Sequence, residues 1–573
     1  MKQSILSQAS LAPRPLRLPL LIAMLCIGVL PTLPARAAGP VIPGAGTVLQ
    51  QVEPVTPLAP PSNDTGLHIQ QPPSSALPAS IAIRIEHIEI VGNSKIDAPT
   101  LHALVTDAEG RDLNLTQIGE LAARITAYYR AHGFPLARAI IPAQTMQAGV
   151  VRIEVIEARY GKITLNNRSR VSDRLLQATL DKLYSGEVVS QDELNRCLLL
   201  LADIPGLAID ATMKTGGQAG TSDLQVNARS TPMATGSVTV DNGGDAYTGR
   251  TRVGANANVF DLLHQGDVLS VNGLTAGNGL TYGRLSYDAL LNGNGTRLGG
   301  AYSTLDYRLK GALSALDATG SAQVASLWLK QPLIRSLGLN LYGQLEYDHL
   351  QLNDNIQAVG IQNDRHLDNL TGSVSGNVRD GMLAGAVTAW NVGWTYGHVG
   401  FNDAATQAID AVTTHTQGDF SKLGVNLVRF QSLGDYDALY FNLNGQWASG
   451  NLDASQQLVV GGPNSVRAYD NGIISGDVGY TLTSEYRHTL AQSWHGQWQA
   501  IAFFDAAHLE VNRATFSTGA NTANLAGAGI GLNWSGPDQL AASFSLAVPV
   551  GATPAQISDR STLHAWLLLS KGF

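Results

Sequence analysis

Leu439-Tyr440-Phe441-Asn442-Leu443-Asn444-Gly445-Gln446-Trp447 sets an apolar or small residue at every odd position, against Tyr, Asn, Asn and Gln at the even ones. A β-strand sends successive side chains to opposite faces, so this stretch has one apolar face and one polar face. The pattern recurs. Leu339, Leu341, Gly343, Leu345 and Tyr347 alternate with Asn340, Tyr342, Gln344, Glu346 and Asp348. Val253, Ala255, Ala257 and Val259 alternate with Gly254, Asn256 and Asn258. Runs of about ten such residues between Gly, Asn and Asp turns mark strands with one face in lipid and one in a polar lumen. A soluble sandwich also alternates, but with shorter strands and more charge outside.

The composition points the same way. Charged residues are only 14% of the 573, with 60 glycines, and the mean hydropathy is +0.01. Beyond the N-terminus no segment reaches the roughly 18 apolar residues of a spanning helix. A closed barrel is then the one structure that satisfies every backbone group in lipid. Residues 231–573, at about 20 residues per strand and connection, predict an all-β transmembrane barrel of sixteen antiparallel strands. The chain ends on Phe573, a terminal aromatic typical of such barrels, although Lys571 departs from the usual apolar spacing. The net charge of −8 and the lack of a dense Lys/Arg cluster disfavour a nucleic-acid partner.

Residues 1–38 read as a secretory signal. Lys2, Arg14 and Arg17 flank an apolar core from Leu18 to Leu33, and Ala35-Arg36-Ala37 is a cleavage signature. The rival, an uncleaved anchor, is disfavoured because the core falls short of about 20 residues. Residues 39–80, rich in Pro, Gly, Gln and Ser, read as a linker. Within it Gly46 to Val52 suits either a short helix or an extended chain. With Cys26 inside the signal, Cys197 stands alone in the mature chain, in the run Cys197-Leu198-Leu199-Leu200-Leu201. It reads as a small buried hydrophobe, not a nucleophile.

Between linker and barrel, one α+β order is written twice. Ile81, Ile83, Ile85, Ile88 and Ile90 predict a strand with one phase shift. Helices over 97–106 and 116–131 and strands over 137–141 and 150–156 follow. The second copy has a strand over 162–165, helices over 172–182 and 191–202, and strands over 207–214 and 223–228. The expected units are 81–158 and 159–230.

Several segments resemble two-partner secretion outer-membrane transporters (haemolysin secretion/activation, ShlB/FhaC/HecB-like), within the superfamily that joins polypeptide-transport-associated (POTRA) domains to a barrel. In the first unit these are Tyr128-Tyr129-Arg130-Ala131-His132-Gly133-Phe134-Pro135-Leu136, Ile141-Pro142-Ala143-Gln144 and Gly149. In the second they are Leu194-Asn195-Arg196 through Asp203-Ile204-Pro205-Gly206, then Gly216 to Gly220 with Asp223-Leu224. At the barrel entry Asp241-Asn242, Gly249, Gly254 and Gly266-Asp267 fit as well. The most diagnostic is Gly461-Gly462-Pro463-Asn464-Ser465-Val466-Arg467-Ala468-Tyr469, similar to the family's VRGY-type loop motif. Phe503, Asp505 and Ala507 match a Phe-x-Asp-x-Gly strand motif. Ala468 and Ala507 both stand where the family has glycine.

The resemblance implies two POTRA domains ahead of the barrel and a motif loop folded into the lumen, where Arg467 would pair with Asp505. Period two puts Phe503, Asp505 and Ala507 on one face and Phe504 on the other. The residues alone leave open a solvated loop arginine and an unrelated lumen carboxylate. The resemblance also implies a translocator that binds an unfolded exoprotein through POTRA residues 81–228 and exports it without ATP. The alternative role for those units is barrel assembly. A plug helix is a family feature, and Gly44 to Val52 is the candidate. The expected partners are one large exoprotein (adhesin, haemolysin or haem-scavenging), outer-membrane lipid and, during biogenesis, the barrel-assembly machinery. An insertase of the same superfamily is the alternative function; a porin would lack the repeats. There is no G-x-x-x-x-G-K-[ST] loop, G-x-S-x-G elbow, H-E-x-x-H or Cys/His cluster. No catalytic residue, cofactor or metal is expected.

Overall fold

The computed structural model describes residues 42–53, 63–70, 81–145, 148–490, 496–557 and 561–573. The expected secretory signal over 1–38 lies outside the described residues, as does part of the linker. Sixteen antiparallel strands, from Ala234–Asp241 to His564–Gly572, close into a barrel. The first and last strands pair from Ser237↔Gly572 to Asp241↔Leu568. Phe573 lies one residue past the last strand, and its backbone exchanges two hydrogen bonds of 3.0 Å with Gly236. No helix among the described residues is long and apolar enough to cross a membrane.

Alternation sorts the wall. Phe441, Leu443, Trp447, Leu345 and Tyr347 are exposed on the outer face. Inside, Asn426 donates to Asn442 at 3.0 Å and Ser326 to Asp348 at 2.6 Å. Side chains thus satisfy one another on the lumen side while the outer face presents a solvent-free belt to lipid.

The linker is more structured than its composition predicts. Helix α1 (Ala45–Val52) lies inside the barrel, and strand β1 (Leu67–Ile69) pairs in parallel with a strand of the second α+β unit. Leu67 is the side chain that joins that unit's core.

In the first unit, the single irregular strand expected from Ile81 to Ile90 is two strands. β2 (Ile83–Arg84) pairs with β4 (Asp112–Leu113), and β3 (His87–Val91) pairs with β6 (Val150–Ile156). The phase shift is a change of sheet: Ile85 and Ile88 are both buried across the break. Between them in the fold come α2 (Ala98–Ala103), α3 (Leu115–Ala131) and β5 (Arg138–Ile140). Asn114 and Gln117 form a capping box that starts α3. Its stripe of Ile118, Leu121, Ala122, Ile125 and Tyr129 is buried against the β3-β6-β5 sheet.

The second unit holds β7 (Arg159–Arg168), α4 (Asp173–Leu180), α5 (Gln191–Ala202), β8 (Leu207–Thr215) and β9 (Thr221–Ser230). The sheet order is β1-β8-β9-β7. The leucine run of α5 fills its core, and burial pushes the Cys197 thiol up to about 11. This unit seats on the barrel. The buried Arg335 guanidinium, on a barrel strand, makes a two-pronged pair with Asp203 at 2.6 and 2.7 Å. Ser172 donates its backbone N–H to the His264 carbonyl at 3.0 Å.

Candidate functional site

The motif sits in the connection between the barrel strands Asp437–Ala448 and Val478–Thr489. A short ribbon, Leu458–Val460 with Ile474–Gly476, frames it. Gly461 and Gly462 have φ of 104° and 89°, and a Cβ on Gly461 would strike the Asp470 carbonyl. Only glycine turns the chain so tightly there. Backbone bonds Gly462 N–H to Tyr469 O (3.0 Å), Ser465 N–H to Gly462 O (3.2 Å) and Tyr469 N–H to Val466 O (3.2 Å) then close a compact loop.

The loop turns back against the lumen wall. Arg467 Nε and Nη2 each donate to an oxygen of Asp505 at 2.8 Å, and its backbone N–H adds a bond of 3.1 Å. Nη1 donates to Glu485 at 2.7 Å. The guanidinium carbon lies 3.4 Å from the centre of the Phe503 ring. The Trp566 indole N–H, on the last strand, donates to the Arg467 carbonyl at 2.7 Å. Burial pulls the guanidinium down, but the hydrogen bonds and charge of Asp505, with Glu485, push it above its ordinary value. Two carboxylates, one ring and one planar fork therefore fix the loop in a single geometry.

Asp505 is fully buried and Phe503 and Ala507 nearly so, while Phe504 is exposed on the outer face. Val466, Ala468 and Tyr469 are buried with Phe503, Ala507, Leu509 and Leu525 in one apolar cluster. The Ser465 hydroxyl is buried with no hydrogen-bond partner among the described residues. Glu485 was not singled out in the sequence. It lies opposite Phe503 in the strand register and is shared with Arg487, which donates to it at 2.8 Å. The available signal was its phase: Thr481, Thr483, Glu485 and Arg487 alternate with Tyr480, Leu482 and Tyr486.

The loop also touches both sides of the barrel's closing seam. Arg250, from the first hairpin, makes a two-pronged pair with Asp470 at 2.7 and 2.8 Å. His564, on the last strand, is 3.2 Å from the same carboxylate. Burial would raise Asp470, but the bonds from His564 and Arg250 hold it well below the usual carboxylate range.

Helix α1 completes the site. Its Ala45, Val48 and Leu49 are buried among Tyr282, Leu305, Leu352 and Leu452. The Ala45 N–H donates to Asp354 at 2.7 Å, placing a carboxylate at the positive end of the helix. Asp354 is itself held by Arg365 and Tyr307 at 2.8 and 2.6 Å. The helix leans on the motif-bearing connection: Gly46 leaves no room for a Cβ against Ser455, and the Gln50 amide donates to the Ser455 carbonyl.

Comparison with known proteins bears on this arrangement. Residues 83–158 match the POTRA domain, ShlB-type, and residues 220–534 match the haemolysin secretion/activation protein ShlB/FhaC/HecB. The chain is 26% identical over 486 residues to the heme/hemopexin transporter protein HuxB of Haemophilus influenzae, covering 84% of this chain and 85% of that one. It is 24% identical over 456 residues to the outer membrane transporter CdiB of Dickeya dadantii, covering 77% of each. Among solved structures, CdiB from Escherichia coli superposes with a TM-score of 0.69 at 20% identity, over 91% of this chain and 95% of that one. BamA from Haemophilus ducreyi, lacking POTRA domains 1–3, gives 0.50 at 16% identity, over 86% and 100%. These last two are likenesses of fold.

Proposed function

The chain belongs to the family of haemolysin secretion/activation proteins ShlB/FhaC/HecB, and on that premise we propose how this barrel moves its client. It is an outer-membrane transporter of the two-partner secretion type, with periplasmic POTRA units, and it exports a partner exoprotein. Members similar to it are transporters, not enzymes. The client is one large protein of the adhesin, haemolysin or haem-scavenging type. The naming of the Haemophilus relative as a heme/hemopexin transporter favours the last.

The client arrives unfolded and meets POTRA residues 81–228 first. Adding a strand to a sheet edge gives affinity through main-chain bonds without strict sequence demands. In the second unit β7 is one edge, while the β8 edge carries the chain's own β1. A client strand at β8 therefore competes with β1.

The resting lumen is closed by α1 and the motif loop. The observation that carries this reading is the Arg467 guanidinium held between Asp505 and Glu485, with α1 leaning on the same connection. Transport requires α1 to leave. Burial of Val48 and Leu49 contributes about 1.5–3 kcal/mol each, a barrier that client binding can offset. No nucleotide site is needed, and folding of the client outside biases the movement. The outer apolar belt contacts lipid, and the barrel-assembly machinery inserts the chain during biogenesis.

The test compares secreted and surface proteins of cells with and without this chain. Loss of one large surface protein is the expected result. Broad loss of outer-membrane proteins, with the client still exported, would identify an insertase and overturn the reading.

A further inference from the structure

On the first POTRA unit, three side chains from three different elements converge. His87 opens β3, His102 lies in the last turn of α2, and Glu109 follows the short 3-10 turn Thr106–Ala108. Nδ1 of His87 is 2.9 Å and Nε2 of His102 3.0 Å from the same Glu109 oxygen, Oε1. One ligand atom from each residue lies within 4.8 Å of the other two. Their sequence spacing carries no metal motif.

We propose that His87, His102 and Glu109 form a binding site for a borderline divalent cation of the zinc class. Two imidazole nitrogens and one carboxylate oxygen are the donor set such ions take, with one position left for water. Tetrahedral ligands at about 2.0–2.1 Å sit roughly 3.3–3.4 Å apart. The two nitrogen–oxygen separations need to open by only a few tenths of an ångström.

The surroundings orient the ligands. The Thr106 hydroxyl donates to the His102 carbonyl at 2.8 Å, so towards His102 Nδ1, 3.2 Å away, it acts as acceptor. Nδ1 then keeps its proton, so Nε2 is the nitrogen left to take a metal beside Glu109. A hydrogen bond to the far ring nitrogen of this kind is what fixes metal-ligating histidines. Glu109 is held in turn by the Ile88 N–H at 2.9 Å. The His87 side chain is 60% exposed, which leaves the ion open to solvent on one side. β3 is an edge of its sheet, so a bound ion would pin α2 across that edge and keep a carboxylate on the outward N–H of Ile88. The site thus closes one edge of the unit to strand addition.

The test uses the full-length protein in detergent, without a histidine tag and stripped by chelator, titrated calorimetrically with Zn2+ and by visible absorption with Co2+. One equivalent is expected to bind, with cobalt bands of four- or five-coordinate intensity. His87→Gln, His102→Gln and Glu109→Gln should each weaken binding about tenfold or more. His87 is exposed, so its variant is not expected to perturb folding. His398→Gln, which removes an exposed histidine paired with Asp419, should bind as the wild type does. Equal affinity in all three cluster variants and the wild type, or no stoichiometric binding, would overturn the proposal and leave a hydrogen-bonded joint between β3 and α2.

Discussion

The methyl group of Ala468 packs against the bare backbone of Gly527, on the barrel strand next to Asp505. A Cβ on Gly527 would overlap it. The loop position that is glycine in the family's motif carries its extra carbon here because the wall opposite carries none. Gly527→Ala should therefore overpack the contact by about 1–3 kcal/mol and lower export. Ala468→Gly should be tolerated alone and should restore export in the double variant. Secretion by the double variant no better than by Gly527→Ala would disprove the compensation.

Arg467 bonds both Asp505 and Glu485 from the loop, and Arg487 shares the charge of Glu485. Removing one partner of a buried pair typically costs about 3–5 kcal/mol, because the other charge stays behind. Arg467→Ala should leave a heat-modifiable barrel in the membrane and block export. Arg467→Lys should not substitute, since a point charge cannot make the fork to Asp505 and reach Glu485 as well. Normal client secretion by Arg467→Ala would sink the assigned role.

Deletion of 43–55 should raise single-channel conductance severalfold in planar bilayers, because α1 fills lumen space between the wall and the Ser455 segment. Asp354→Asn should give a smaller rise, since the amide keeps one acceptor oxygen but loses the negative charge and the second oxygen that serve Arg365, Tyr307 and the helix end. An unchanged conductance in the deletion would argue against a plug.

Arg335→Ala should loosen the second POTRA unit without opening the barrel. Its guanidinium is fully buried and pairs with Asp203, so the expected cost again lies near 3–5 kcal/mol. Hydrogen exchange should quicken in α5 and β8 and not in the barrel strands. Uniform exchange across the chain, equal to that of the wild type, would show that the pair is not a main fastening.

The barrel was legible because alternation is local: nine residues such as 439–447 state both faces of a strand. The loop was legible through its glycines and arginine, whose turn geometry is also local. Glu485 was not, because its importance comes from a neighbour eighteen positions earlier in the chain and from a register no single strand reveals. Strand β1 escaped for a similar reason. Three residues in a Pro-rich stretch carry no period, and their partner β8 lies beyond the whole first unit and β7, α4 and α5 of the second. The strand expected across 81–90 failed differently, since burial of Ile85 and Ile88 continues through a break in hydrogen bonding.

The pairing of β1 with β8 sets a leash. Fourteen residues separate the end of α1 at Val52 from the start of β1 at Leu67, and such a segment reaches at most about 50 Å when fully drawn out. While β1 keeps its register on β8, α1 can leave its seat in the lumen but stays tethered within that reach of the second unit. On the proposed export path, a client strand that displaces β1 would let go of the same line, so the proposed docking edge would also control the slack on the proposed plug.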